Sequence, residues 1–117
     1  MFADEELNVP FDCIVNGERV RVKGEVDLST APKLQEVLIR CTKDIGRIPT
    51  IDLSEVVYLD SSGIQALVNT ATAHSDEAEM AVGNIIGVQP QVMRILRLVG
   101  LDRIYRIYGW ENDESKT

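Results

Sequence analysis

One stretch of the chain, residues 50–71, places a predicted strand, a polar turn and a predicted helix in direct succession. Its first part, Thr50 to Leu53, is a short β-prone run, and Ser54 to Leu59 is expected to be a linker. The polar tetrapeptide Asp60-Ser61-Ser62-Gly63 follows the linker. Because strands that alternate with helices are typical of α/β proteins, this stretch constrains the fold more than any other.

The helix after this turn is predicted from its apolar spacing and from its first residues. Asp and Ser side chains accept hydrogen bonds from the N–H groups that a helix start leaves unpaired. We therefore expect a helix from about Ser61 to about His74, with two serine hydroxyls at its positive end. Its apolar face repeats at i, i+3, i+4 and i+7, at Ile64, Leu67, Val68 and Ala71.

Strands and helices alternate through the rest of the chain. Asn16-Gly17 between two β-prone runs predicts an opening β-hairpin. Pro32 in a first turn predicts a helix that Ser29 or Thr30 caps. Further along we expect a strand over Met80 to Gly87, a helix that starts at Gln89-Pro90, carries Val99 on its apolar face and ends at Gly100, and a strand over Ile104 to Tyr108.

The predicted order is β-β-α-β-α-β-α-β, which gives one α/β domain with a mixed β-sheet. An opening hairpin precedes parallel strands joined by right-handed crossovers, and the helices pack against the sheet. In such sheets the functional crevice lies beyond the carboxyl ends of the parallel strands. Asp60–Gly63 follow one such end, and the loop Asp27–Thr30 is expected nearby. We place the domain at residues 9–108, a flexible N-terminus at 1–8 and an acidic C-terminal tail at 109–117.

The charge, hydropathy and cysteine content of the chain limit its possible partners and its cellular compartment. The net charge of -7 disfavours nucleic acid and anionic membranes as partners, because both repel an acidic protein. No run approaches the roughly 20 apolar residues that a membrane span requires, and MFADEELNVP lacks the features of a secretory signal. Cys13 and Cys41 are interpreted as small buried residues in a reducing compartment, with no disulfide. We therefore expect a cytoplasmic protein.

The residues do not predict an enzyme. The only histidine, His74, lies 13 residues along the predicted helix from Ser61, about 20 Å away at 1.5 Å per residue. It is too far away to activate a serine nucleophile. One histidine and two distant cysteines do not make a zinc set, the carboxylates lack EF-hand spacing, and the glycine-rich phosphate motifs are missing. We expect no catalytic residue, metal or cofactor in the chain itself.

A serine at a helix start beside acidic residues suits a phosphoacceptor. A phosphoserine brings about −1.5 to −2 charges and three acceptor oxygens. The helix macrodipole favours negative charge there by roughly 0.3–1 kcal/mol, so the helix should survive the modification. From the residues alone, a plain helix cap remains an open alternative.

Two segments of the chain carry a family resemblance. They read Gly24-Glu25-Val26-Asp27-Leu28-Ser29-Thr30-Ala31-Pro32-x-Leu34 and Ile51-Asp52-Leu53-Ser54-x6-Asp60-Ser61-Ser62-Gly63. In this order and at this spacing, they resemble the two signature segments of the STAS domain. The nearest resemblance is to its stand-alone bacterial form, the anti-sigma factor antagonist. The order of elements is similar to that family from about Val9 to Tyr108.

The resemblance implies a phosphoacceptor and a set of partners. In the family the first Ser after the Asp is phosphorylated, which is Ser61 here. The unphosphorylated protein sequesters an anti-sigma factor that is also a serine kinase with a histidine-kinase-like ATPase fold, and so frees a sigma factor. Phosphorylation releases the kinase, and a PP2C-type phosphatase resets the switch; ATP and Mg²⁺ belong to the kinase. The implied partner surface consists of Asp27, Ser29, Thr30, Asp60, Ser61, Ser62 and Gly63.

Alternatives to this interpretation remain at the level of residues and of function. Asp60 fits a simple helix cap, Asp27 fits a brace of its turn, and Gly63 fits a close approach to the first helical turn. One rival function is a STAS module that docks to a transporter or sensory complex without phosphorylation. Another is a nucleotide or anion sensor at the Ser61 helix start. Titration with ATP and GTP while following the melting temperature would discriminate the sensor.

Overall fold

The computed structural model describes residues 9–74 and 83–110. Five strands form one sheet in the order β1-β2-β3-β4-β5, and the predicted α/β class and element order are confirmed. The elements are β1 (Asp12–Asn16), β2 (Arg19–Val26), α1 (Ala31–Ile45), β3 (Thr50–Leu59), α2 (Ser61–His74), β4 (Gly83–Val88), α3 (Pro90–Leu98), a short 3-10 turn (Leu101–Arg103) and β5 (Tyr105–Gly109).

The sheet is mixed because only its first pair is antiparallel. β1 and β2 form the predicted hairpin, with Gly17 at φ 66° in the turn. β2, β3, β4 and β5 pair in parallel, each with its neighbour in the chain. Since every crossover moves in the same direction, crossovers of one hand carry all three helices to one face of the sheet. Their apolar sides, which include Leu67 and Leu96, share one core with strand residues such as Val20, Ile51 and Ile85.

β3 is longer than predicted, and the expected linker Ser54–Leu59 is wrong. The strand continues to Leu59, with Val56 and Leu59 almost fully buried. The β2–β3 register is irregular between Arg21 and Lys23 and between Gly24 and Glu25. From Leu53 onward the buried residues of β3 are accordingly three apart, at Val56 and Leu59. Bulges of this kind break the two-residue alternation by which a strand is recognised in a sequence.

Several element ends also differ from the prediction. α3 ends before Gly100, which adopts φ 81° and precedes the 3-10 turn instead of capping the helix directly. Val99 is therefore about half-exposed and does not lie on a buried helix face. β5 extends through Gly109, so the predicted start of the tail at residue 109 is wrong by one residue. Outside the described residues lie the predicted N-terminus 1–8, residues 80–82 of the predicted β4 and residues 111–117 of the predicted tail.

The burial of the two cysteines agrees only in part with the prediction. Both cysteines are free; Cys41 is buried as predicted, whereas Cys13 is only partly buried. Burial, reinforced by the nearby charge of Asp12, raises the pKa of the Cys13 thiol to about 11. Among the helices of residues 9–74 and 83–110, none is both long enough and apolar enough to cross a membrane.

Candidate functional site

The carboxyl ends of β2 and β3 lie side by side at one edge of the sheet. Val26 and Leu59, the last residues of the two strands, are partners in the parallel register. The Asp60 N–H donates a hydrogen bond to the Val26 carbonyl at 3.2 Å. The structure therefore brings the two segments singled out in the sequence, Asp27–Thr30 and Asp60–Gly63, to the same edge.

Asp60 is the N-cap of α2. Its Oδ1 accepts the Ser62 N–H at 2.9 Å, and its backbone carbonyl accepts the Ile64 N–H at 3.1 Å. The structure therefore agrees with the alternative interpretation of Asp60 as a helix cap. The other carboxylate oxygen, Oδ2, makes no hydrogen bond with a described residue and is left to interact with solvent or a partner.

Ser61 is the first residue of α2, and its side chain is exposed. Within residues 9–74 and 83–110 its hydroxyl makes no hydrogen bond, whereas the neighbouring Ser62 is partly buried. His74 lies at the opposite end of the same helix, as predicted. Ser61 therefore has an accessible hydroxyl at the positive end of a helix dipole.

Gly63 is the point at which α2 touches the strand ends. A Cβ added there would lie 2.8 Å from Val26 Cγ1 and 2.9 Å from Leu59 Cγ. Carbon atoms pack at about 3.5–4.0 Å, so a larger residue does not fit without a shift. Both neighbouring side chains are buried in the core. The prediction that Gly63 permits a close approach is confirmed, and this contact fixes the height of the first turn above the sheet.

A network around one carboxylate braces the loop after β2. Asp27 Oδ1 accepts hydrogen bonds from the Ser29 hydroxyl at 2.8 Å, the Ser29 N–H at 3.0 Å and the Thr30 N–H at 3.2 Å. The bond from the Ser29 hydroxyl, supported by the backbone donors, lowers the pKa of Asp27. Asp27 is therefore a charged brace of its own turn, the structural alternative given for it.

The start of α1 differs from the predicted cap. Thr30 is the N-cap residue, but its side chain makes no capping hydrogen bond. Its hydroxyl instead accepts the Asp27 N–H and donates to the Glu25 carbonyl, both at 2.9 Å. Ser29 does not cap either, because its hydroxyl bonds Asp27. The two hydroxyls stabilise the loop rather than the helix.

Three apolar side chains near these strand ends escaped the sequence prediction. Leu28, at the apex of the braced loop, is 77% exposed. Val57 and Tyr58, near the end of β3, are each about half-exposed. The sequence contained one signal for the exposure of Leu28. This residue lies between polar residues in a turn, outside the apolar periodicity of any strand or helix. Val57 and Tyr58 lie in the segment that was predicted as a linker.

Comparison with known proteins identifies this architecture. The STAS domain family matches residues 15–113, so the chain belongs to that family. The "Anti-sigma-B factor antagonist" of Staphylococcus aureus (strain NCTC 8325) is 33% identical over 89 residues, which cover 75% of this chain and 80% of that protein. The protein of the same name from Staphylococcus epidermidis is 27% identical over 103 residues, covering 86% and 94%. Within the family, the sequence therefore groups with the anti-sigma factor antagonists.

Solved structures share the fold. An anti-sigma factor antagonist from Mycobacterium paratuberculosis matches with a TM-score of 0.67 and 27% identity, over 86% of each chain. The anti-sigma factor antagonist SpoIIAA in its unphosphorylated form matches with a TM-score of 0.59 over 84% of this chain and 87% of that one. At 18% identity the second likeness concerns the fold alone. The family resemblance drawn from the two signature segments is confirmed.

Proposed function

We propose that this chain sequesters an anti-sigma factor that is also a serine kinase, and that phosphorylation of Ser61 switches the binding off. The observation that carries the proposal is the exposed Ser61 hydroxyl at a helix start, on the same sheet edge as the braced Asp27 loop. The S. aureus relative is named as an antagonist of an anti-sigma-B factor, which supports an anti-sigma factor as the class of partner.

The partner surface combines charge with exposed apolar area. Asp27 and Asp60 each use Oδ1 within their own turns, while Oδ2 has no partner among the described residues. Both can accept hydrogen bonds from cationic side chains of the kinase. Leu28 adds apolar area that a partner can bury. The whole proposed surface is Asp27, Leu28, Ser29, Thr30, Asp60, Ser61, Ser62 and Gly63.

The switch follows from the charge added at Ser61. The kinase transfers the γ-phosphoryl group of ATP to Ser61 Oγ, ADP leaves, and a base of the kinase takes the hydroxyl proton. ATP and Mg²⁺ are bound by the kinase, and this chain acts as its substrate and not as an enzyme. The helix dipole favours negative charge at this end, so the fold persists while the charge of the surface changes.

The added charge expels a docked partner by repulsion and desolvation. A PP2C-type phosphatase then hydrolyses the phosphoserine and restores binding. All these steps belong to the cytoplasm.

A pull-down tests this proposal directly. Wild-type protein, Ser61→Glu and Thr72→Glu serve as parallel baits in lysate of the source cell, with ADP present so that the kinase cannot modify them. Thr72 is exposed on the last turns of α2, so its variant adds the same charge to the same helix away from the site. Mass spectrometry is expected to identify a small ATP-binding kinase on wild type and Thr72→Glu, and not on Ser61→Glu.

The retained kinase then provides the second half of the test. With ATP and Mg²⁺ it is expected to phosphorylate wild type at Ser61 and to leave Ser61→Ala unmodified. A transporter or sensory-complex subunit held equally by all three baits would overturn the proposal in favour of a docking module. Phosphorylation confined to another residue would overturn the role of Ser61.

Leu28 is predicted to anchor the partner. Leu28→Ala should weaken binding of the kinase roughly tenfold or more, because a fully buried leucine side chain contributes about 1.5–3 kcal/mol. The loop should stay in place, since its hydrogen bonds come from Asp27, Ser29 and Thr30. Calorimetric titration measures the affinity, and Leu98→Ala is the control because Leu98 is 83% exposed on α3. Equal affinities for both variants would contradict an anchoring role.

A further inference from the structure

α3 borders a groove that the proposed function does not use. On the side of β5 the groove has a volume of about 340 Å³. A second depression, lined also by Arg94 and Leu98, adjoins it, because Met93 and Arg97 line both. We call this combined surface the α3 groove, and its principal residues are Met93, Arg94, Arg97, Leu98, Tyr108 and Trp110.

The α3 groove combines apolar area with positive charge. Leu98 is 83% exposed and Trp110 is 50% exposed. Residues 83–110 contain four arginines and a single acidic residue, Asp102. The ion pairs within the described ranges involve other cations, and no described carboxylate lies within 4.0 Å of Arg94 or Arg97. The surface therefore fits an acidic segment of polypeptide.

Such a segment follows the groove directly in the sequence. Residues 111–117 read ENDESKT, with three carboxylates and one lysine, and they continue from Trp110, which lines the groove. Seven extended residues reach up to about 23 Å. The nine residues of α3 are about 14 Å long, so the segment can pass along the whole helix.

We propose that residues 111–117 dock in the α3 groove, with Glu111, Asp113 and Glu114 facing Arg94 and Arg97. Exposed ion pairs are individually weak, but the direct covalent connection to Trp110 gives the segment a high effective concentration. Docking is therefore reversible and salt-sensitive, since charges are screened over about 8 Å at 0.15 M ionic strength. Any partner that binds α3 must displace this segment. The proposal does not depend on Ser61.

Trp110 provides the measurement because it is the only tryptophan in the sequence. The full chain is compared with a variant truncated after Trp110 and with a full-length variant carrying Glu111→Gln, Asp113→Asn and Glu114→Gln. At low salt both variants are expected to show red-shifted emission and stronger quenching by acrylamide. High salt should bring the wild type to the same values.

The arginines are tested separately. A variant with Arg94→Gln and Arg97→Gln should lower the ratio of docked to undocked segment about fivefold, and so reproduce the stronger quenching. The variant neutralised at residues 111, 113 and 114 has its own matched control, in which three acidic residues elsewhere in the sequence are replaced, with Asp76→Asn, Glu77→Gln and Glu79→Gln. It removes the same charge and should leave the emission of the tryptophan unchanged.

Three results would overturn the proposal. The first is identical emission and quenching for the full, truncated and neutralised chains at every salt concentration. The second is a change on truncation but none on neutralisation, which would mean that the segment covers Trp110 only because it is adjacent. The third is a quenching difference that varies with protein concentration, which would show that the groove holds the segment of a second copy.

Discussion

Protein phosphorylated at Ser61 is expected to bind its anti-sigma factor at least about a hundredfold more weakly than unphosphorylated protein. Like charges or desolvated charges placed in an interface cost several kcal/mol, and each 1.4 kcal/mol is tenfold in affinity. Ser61→Ala should bind as wild type does and be insensitive to the kinase. Ser61→Asp should weaken binding roughly tenfold, because one carboxylate replaces a dianion poorly. Calorimetric titration with the kinase recovered in the pull-down measures all four forms.

The control for this result separates local charge from net charge and from unfolding. Thr72→Asp adds one negative charge to the same helix, about 16 Å from Ser61 at 1.5 Å per residue. It should bind with nearly wild-type affinity. Thermal melting should show that Ser61→Asp is as stable as wild type, because the helix dipole favours a carboxylate at that end. Equal affinity of Ser61→Ala, Ser61→Asp and the phosphoprotein would disprove the switch.

The start of α2 could be predicted because its determinants are local. Asp60, the serines and Gly63 are adjacent in the sequence, and the N-cap geometry depends only on atoms within one turn. The apolar repeat that follows then sets the helix direction. The juxtaposition of this turn with the Asp27 loop was also predictable, because parallel strands end at the same edge of a sheet.

The second half of β3 could not be predicted from its own residues. Its burial pattern depends on where β2 shifts register, and a register is a property of two strands. Val56 and Leu59 therefore appear out of phase in the sequence although both are buried. The role of Thr30 was missed for a similar reason. Its hydroxyl can cap a helix or bond the preceding turn, and the choice depends on the position of the Glu25 carbonyl.

The distribution of charge along the chain limits what its net charge indicates about binding partners. Nine of the 19 Asp and Glu residues, but only one of the 12 Lys and Arg residues, lie in segments 1–8, 75–82 and 111–117. The residues that the structure describes therefore carry nearly balanced charge. A net charge of -7 belongs to the sequence as a whole, whereas partners meet individual surfaces. The basic α3 groove and the acidic sheet edge at Ser61 are examples of opposite sign.

The close contact at Gly63 predicts a large loss of stability when a side chain is added. Gly63→Val should lower the free energy of unfolding by about 3 kcal/mol, since Val26 and Leu59 are buried and leave no space. For a domain of this size that corresponds to a fall of roughly 10–20 °C in melting temperature. Helix propensity alone predicts a slight gain, because valine is a better helix former than glycine. Ser62→Val is the control for a β-branched residue in the same turn.

A double-mutant cycle identifies the contact and connects it to function. Val26→Ala should cost less in the Gly63→Val background than in wild type, because it removes the atom that the new side chain meets at 2.8 Å. Most domains have 5–15 kcal/mol of stability, so Gly63→Val should still fold. Because Ser61 lies two residues before Gly63 in the same turn, lifting that turn displaces the serine from the Asp27 loop. Folded Gly63→Val should therefore bind the anti-sigma factor more weakly, and Val26→Ala should restore part of that affinity. If the stability costs of the two substitutions were strictly additive and the affinity for the anti-sigma factor did not change, Gly63 would not position Ser61.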